Sequence, residues 1–182
     1  YNQALLISIA ITDSISQART LVGIGNVFIN WKYYDKAAEH YAEGLKIFEK
    51  RKNHKGMAHA NVGLGNVNLC LNKFNKAIEF QSKALQLYKK ANYPNGVALA
   101  LLNTAEAYSE SNNQEKAIQL YKKALSITKE LNDKIRTNLI IQQIGNTYYY
   151  TGEYNKAIEY YNESLCMAKE IKYPKIEIRV YY

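Results

Sequence analysis

Apolar and polar positions along this chain recur with one long period. Ala37, Ala77, Ala117 and Ala157, each followed by Ala or Ile, stand 40 residues apart with no insertion or deletion between them. Lys36, Lys76, Lys116 and Lys156 precede those alanines, and Leu45, Leu85, Leu125 and Leu165 follow eight residues after them. Gly25, Gly65 and Gly145 form a third column in which Ala105 is the exception. Small residues there predict two helices crossing backbone on backbone. A period of this size implies one supersecondary unit stacked on copies of itself, and not a globule with a single cleft.

Within a unit the apolar spacing predicts two helices. In the second unit, Val62, Leu64, Val67, Leu69 and Leu71 mark the first, Asn72-Lys73 breaks it, and Ala77, Ile78, Phe80, Ala84, Leu85 and Leu87 mark the second. Asp35, Asn75 and Asn155 stand where a short side-chain oxygen would cap the second helix. Connections to the next unit are expected at 53–55, 93–95, 133–135 and 173–175, with Pro94 and Pro174 placed where a helix has to stop. The chain divides into repeats at 18–57, 58–97, 98–137 and 138–177. Residues 1–17 read as the second helix of a truncated repeat, because Tyr1, Leu5 and Ile7 align with Tyr41, Leu45 and Ile47, and residues 178–182 read as the start of another. Leu5, Leu6, Ile7, Ile9, Ile176, Ile178 and Val180 would then lack neighbours, which predicts end-to-end self-association and a gain in stability on extension by one native repeat at each end.

The run NVGLGNVNLCLNKFNKAIEFQSKAL at 61–85 resembles a tetratricopeptide repeat, with Leu64-Gly65 in its first helix and Phe74, Ala77 and Ala84 in its second. IGNVFINWKYYDKA, TAEAYSESNNQEKA and IGNTYYYTGEYNKA repeat the pattern. At 40 residues the unit is longer than the usual ~34. It is similar to the repeats of bacterial signalling regulators and of Pins-type scaffold proteins, and lies close to kinesin light chain. The resemblance implies an all-α fold, an α-α superhelix of antiparallel helix pairs. It leaves function open, because one repeat serves all of these proteins.

Composition narrows the classes. The chain is 47% apolar, with two Pro and nine Gly, so it can bury a continuous core and has no long linker. No stretch is apolar enough to span a bilayer, and none has the zones of a signal peptide. Cys70 and Cys166 fall at non-equivalent positions of their repeats, which disfavours a disulfide and points to a reducing, cytoplasmic setting. Charge is uneven: residues 18–97 carry 13 Lys/Arg against 5 Asp/Glu, whereas 98–177 carry 10 of each. Nucleic-acid binding by the basic half is the weakest reading. Lys46, Lys50, Lys83, Lys89 and Lys90 fall on second helices, the outer surface of such a fold, and tyrosines such as Tyr34, Tyr121 and Tyr161 fall at packing positions.

In a tetratricopeptide superhelix the first helices line the concave surface. Steps of three and four carry that face onto Arg19, Val22, Gly23, Asn26, Ile29 and Asn30, then onto His59, Val62, Gly63, Asn66, Leu69 and Cys70. The third unit supplies Leu99, Leu102, Asn103, Glu106, Ser109 and Glu110, and the fourth Leu139, Gln142, Gln143, Asn146, Tyr149 and Tyr150. The candidate peptide-binding residues are therefore Arg19, Asn26, Asn30, His59, Asn66, Asn103, Glu106, Glu110, Gln143, Asn146, Tyr149 and Tyr150. Asn26, Asn66 and Asn146 form a ladder, broken by Glu106, that could pair with an extended backbone. The alternative is that these amides tie neighbouring helices together.

The carboxylate clamp of chaperone-binding tetratricopeptide domains needs two Asn and several cations. Its matching positions hold Asn66 and Asn103 with Val62, Leu139 and Gln143, or one unit earlier Asn26 and Asn103 with Val22, Gly63 and Leu99, and so lack the charge. Catalysis and metal binding find no support. His40, His54 and His59 are scattered, and Cys70 lies about 16 Å along the helix from His59. Gly23-x-Gly25 and Gly63-x-Gly65 lie inside helices and follow no strand. The sequence thus predicts a non-enzymatic, cofactor-free module that binds a protein or peptide in a concave groove. The alternative is a sensory or autoinhibitory segment of a larger bacterial regulator.

Overall fold

The computed structural model describes the backbone of residues 2–171 and the side chains of residues 14–171. Over that span the chain forms α1 (Asn2–Asn30), α2 (Tyr34–Lys50), α3 (His54–Cys70), α4 (Phe74–Lys90), α5 (Pro94–Glu110), α6 (Gln114–Glu130), α7 (Lys134–Tyr150) and α8 (Tyr154–Ile171), with no strand among the described residues. From α2 to α7 every helix has 17 residues. Every connection has three, so the 40-residue period splits into two equal halves of 20.

The connections share one geometry. Their middle residues Lys32, Lys52, Asn72, Asn92, Asn112 and Asn132 have φ between 48 and 63°, and Gly152 has φ 78°. Each is flanked by the two reverse bonds of a Schellman turn: Lys52 N–H donates to the Glu49 carbonyl and Asn53 N–H to the Phe48 carbonyl, and the same pair recurs at each of the other turns. Asparagine tolerates the left-handed region, so Asn72, Asn92, Asn112 and Asn132 signal these turns in the sequence, whereas Lys32 and Lys52 do not.

The residue after each left-handed position caps the next helix. Asn53 accepts from Gly56 N–H, Asn113 from Lys116 N–H and Asp133 from Arg136 N–H. The expected caps Asp35 and Asn75 instead lie one residue inside α2 and α4, whose capping residues Tyr33 and Lys73 make no side-chain cap bond, and Asn155 likewise lies inside α8. Pro94 does not end a helix. It opens α5, where its missing N–H leaves no bond unmade.

The expected division between residues 1–17 and 18–57 is not a break in the backbone, for α1 runs unbroken through it over 29 residues. Twenty residues before Lys32 the sequence has Thr12, a β-branched residue for which the left-handed turn is costly. The apolar side chains invoked for end-to-end association, Leu5 to Ile9 and Ile176 to Val180, lie outside the residues whose side chains are described, as do Pro174 and the start of a further repeat at 178–182.

Two compact units divide the chain, Tyr1–Ala100 and Leu101–Tyr182, with the division inside α5. In the first, α1 packs on α2, α2 on α3, α3 on α4, and α1 also on α3. Its centre is Tyr41, which is fully buried. A Cβ added at Gly25, in the same repeat, would come within 2.7 Å of the Tyr41 ring, and one at Gly63, in the next, would overlap it. The glycine column therefore faces side chains and not a second backbone. Gly145 likewise faces Tyr161, and Gly65 faces Gln81. Ala37, Leu64 and Val67 close around Tyr41, and Val22, Ile29 and Leu45 pack against the cluster. In the second unit α6 packs on α7 and α7 on α8 around the buried Ile140, Ile141 and Ile144.

The lysine column also has a structural role. Lys36 Nζ lies 5.5 Å from the Tyr33 ring centroid, Lys116 4.5 Å from that of Tyr108 and Lys156 5.1 Å from that of Tyr148. At these distances a cation over a ring contributes about 0.5–1 kcal/mol at an exposed site.

Candidate functional site

The first-helix stripe is only partly open. In the first unit Arg19, Asn26, Asn30 and Cys70 are exposed, His59 and Asn66 half-buried, and Val62 and Gly63 buried. In the second, Glu106, Glu110, Tyr149 and Tyr150 are exposed, with Tyr150 reaching 76%, while Asn103, Gln143 and Asn146 are half-buried. Ile29 packs against the Tyr41 cluster.

The asparagine ladder is engaged within the protein. Tyr41 Oη donates to Asn26 Oδ1 at 2.6 Å, Gln81 Nε2 to Asn66 Oδ1 at 3.0 Å and Tyr161 Oη to Asn146 Oδ1 at 2.8 Å. Each bond joins the two helices of one repeat across 15 residues. The amides thus act as ties between helices, and their oxygens serve buried or half-buried donors. Asn146 Nδ2 further donates to Gln143 Oε1 at 3.3 Å. Burial raises the phenol of Tyr41 to about 12, with a smaller push from Cys70, so it remains a donor at neutral pH.

Where the ladder breaks, Glu106 sits near the buried Tyr121, whose pKa is raised by burial and by the charges of Glu106 and Glu110. Glu106 is exposed by area, yet desolvation by the protein around it and repulsion from Glu110 raise its carboxyl above the ordinary value. A carboxyl raised on folding adds stability below its unfolded value of 4.5 and loses that contribution as pH rises through the folded value. Glu106→Gln should therefore raise the melting temperature at pH 7 and leave it unchanged near pH 4, as differential scanning calorimetry at the two pH values would record.

Beside the stripe, a cavity of about 370 Å³ opens between α1, α2 and α3. Arg19 and Val22 come from α1, Phe48 from α2, Asn53 from the turn, and Lys55, Gly56 and His59 from the start of α3. Only Arg19 and His59 were legible as candidates. Phe48 and Lys55 lie off the first-helix stripe, and the signal that marks Phe48 is the glycine eight residues after an aromatic: Gly56 after Phe48, as Gly96 after Tyr88, in each case because a Cβ would overlap the ring. His59 Nδ1 lies 2.8 Å from Tyr88 Oη, and its pKa is lowered by burial, then by Lys55 and Arg19.

In the second unit Tyr149 makes edge contacts with Tyr150 and Tyr154, and all three rings are exposed. Cys70 and Cys166 are free and exposed. Among the described residues no cluster of His, Cys, Asp and Glu could hold a metal ion, and no helix is long and apolar enough to cross a membrane.

Repeated helix pairs that bury one side and leave polar and aromatic groups of the first helices open define a repeat solenoid of the kind built for interaction. A tetratricopeptide repeat profile matches residues 56–130, and a second matches residues 18–51 and 140–170. Together they cover most of the chain, which belongs to the tetratricopeptide repeat family. No curated protein matches the sequence. Among solved structures, aspartyl phosphate phosphatase F from Bacillus subtilis is similar at a TM-score of 0.87 and 16% identity, over 92% of this chain and 44% of that one. A Rap protein complexed with competence and sporulation factor is similar at 0.85 and 18%, over 91% and 46%. A signal transduction ATPase with a tetratricopeptide repeat sensor from Pyrococcus horikoshii is similar at 0.81 and 18%, over 92% and 26%. The likeness is one of fold, an all-α superhelix of helix pairs, and this chain spans less than half the length of each of these proteins.

Proposed function

We propose that the chain is a non-enzymatic module that binds a peptide or protein segment on the open faces of its first helices. The observation that carries this reading is the exposure of Asn30, Glu106, Glu110, Tyr149 and Tyr150 on helices whose other sides are buried. Exposed tyrosines at a surface otherwise built for packing supply large contact area at low cost in conformational entropy. Because the ladder oxygens serve the fold, recognition rests on the groups around them. Tyr149→Ala with Tyr150→Ala should weaken binding of a captured peptide at least about tenfold, or about 1.4 kcal/mol, with helicity unchanged. Lys46→Ala with Lys83→Ala, on second helices, should leave it unaltered. Isothermal titration with a peptide selected from a random library decides this, and equal effects of the two pairs would refute it.

A second reading is favoured by the neighbours. A Rap protein complexed with competence and sporulation factor and an ATPase with a sensor of this repeat type both exceed this chain about twofold or more in length. On that reading the array senses a ligand for an output domain elsewhere in a longer protein. A kinase, phosphatase or DNA-binding domain in the full-length gene supports it.

A further inference from the structure

The cavity between α1, α2 and α3 gathers positive charge, with no counter-charge among the residues lining it. Arg19 and Lys55 both act on His59, and among the described residues no carboxylate pairs with any of the three. Arg19 and Lys55 are exposed, so neither is held in place by the core. The Lys55 ammonium lies 3.8 Å from the centroid of Tyr93, which meets His59 edge-on at 6.2 Å and Tyr88 at 5.7 Å. That stack sets the ammonium beside the imidazole.

The remaining groups select among anions. Gly56 N–H, the first amide an anion at the start of α3 would seek, already donates to Asn53 Oδ1 at 2.8 Å. Phosphate recognition by backbone amides is thereby disfavoured. Burial keeps the Tyr88 phenol protonated, and in the Nε2–H tautomer of His59 the phenol donates to Nδ1 and leaves Nε2–H as a further donor. Phe48, packed against the bare Gly56 backbone, and Val22 supply an apolar wall. At about 370 Å³ the cavity has room for a side chain and part of its neighbour, at the small end of ligand pockets.

We infer that this cavity binds a carboxylate of a peptide, with Arg19 and Lys55 as its cationic partners and an adjoining apolar side chain against Phe48 and Val22. This deepens the reading of the chain as a peptide-binding module and rests on it. It also places the charge off the positions of the known carboxylate clamp, which hold Val62, Leu139 and Gln143. The carboxylate is an internal Asp or Glu, or a chain terminus.

The test uses an array of random N-acetylated hexapeptides, each made as C-terminal amide and as free acid, probed with the native chain and with Arg19→Gln/Lys55→Gln. Both substituted residues are exposed, so the variant should keep its helicity and lose no more stability than the Lys55–Tyr93 cation–π contact supplies, about 0.5–1 kcal/mol. The native chain should favour Asp- or Glu-containing amides beside an apolar residue, or free acids as a class, which tells the two sources apart. The variant should lose that preference with about a tenfold drop in affinity per cation removed, the worth of a charge-assisted bond. Nuclear magnetic resonance should show the His59 imidazole pKa rising when the best peptide binds, since an anion beside it favours the imidazolium. Neutral peptides bound as well as acidic ones, or an acidic preference that survives in the variant, would overturn the carboxylate site while leaving peptide binding intact. No binding by any peptide would overturn both.

Discussion

Gly63→Ala destabilises the protein by about 2 kcal/mol, whereas Gly23→Ala, one repeat earlier in the same column, stabilises it by about 0.5–1 kcal/mol. The new methyl at residue 63 falls on the ring of Tyr41, which is fully buried and also packed against Gly25. The ring has nowhere to go, so the helices must separate. At Gly23 an added Cβ meets nothing within 4 Å among the described residues, and only the gain in helix propensity remains. Chemical denaturation of the two variants checks both signs at once. A Gly63→Ala variant as stable as the parent would mean that Tyr41 is not the pivot of this unit.

Replacing Asn26, Asn66 and Asn146 together with Ala lowers stability by about 3 kcal/mol. Each oxygen serves a donor on the paired helix, from Tyr41, Gln81 or Tyr161, and a neutral bond of this kind contributes about 1 kcal/mol, more when the donor is left buried. The three sites lie on separate repeats, so the losses add. Asn30→Ala, exposed on the same stripe, should change stability by less than about 0.5 kcal/mol. Thermal denaturation of both variants is the measurement. A triple variant that keeps its melting temperature but loses its ligand would restore the ladder as a recognition surface.

The period, the helix pairs and the family were legible in the sequence because they depend on spacing along one chain direction. Columns such as Ala37 to Ala157 and Leu45 to Leu165 repeat regardless of what lies opposite them. Facing partners were not legible. Nothing in the spacing of Asn26 couples it to Tyr41 rather than to a peptide, and the glycine column calls for close approach without naming the side chain that makes it. The caps fall two residues before Asp35 and Asn75, because the residue after the left-handed turn holds that place and the polar residue nearest the alanine column lies inside the helix. The cavity was hidden for a related reason. Arg19, Phe48 and Lys55 come from three helices and meet only when α1, α2 and α3 stack.

The equal 20-residue halves bear on how this polypeptide finds its shape. With every turn three residues long, each helix meets the next in sequence by closing a short loop, and the bond from Arg51 Nη2 to Ser14 Oγ reaches back 37 residues. The entropy lost on closing a loop grows with its length, so no step of assembly within a unit faces a barrier larger than the one before. Such a chain is suited to assemble in order as it emerges from the ribosome, each newly made hairpin docking onto a finished one.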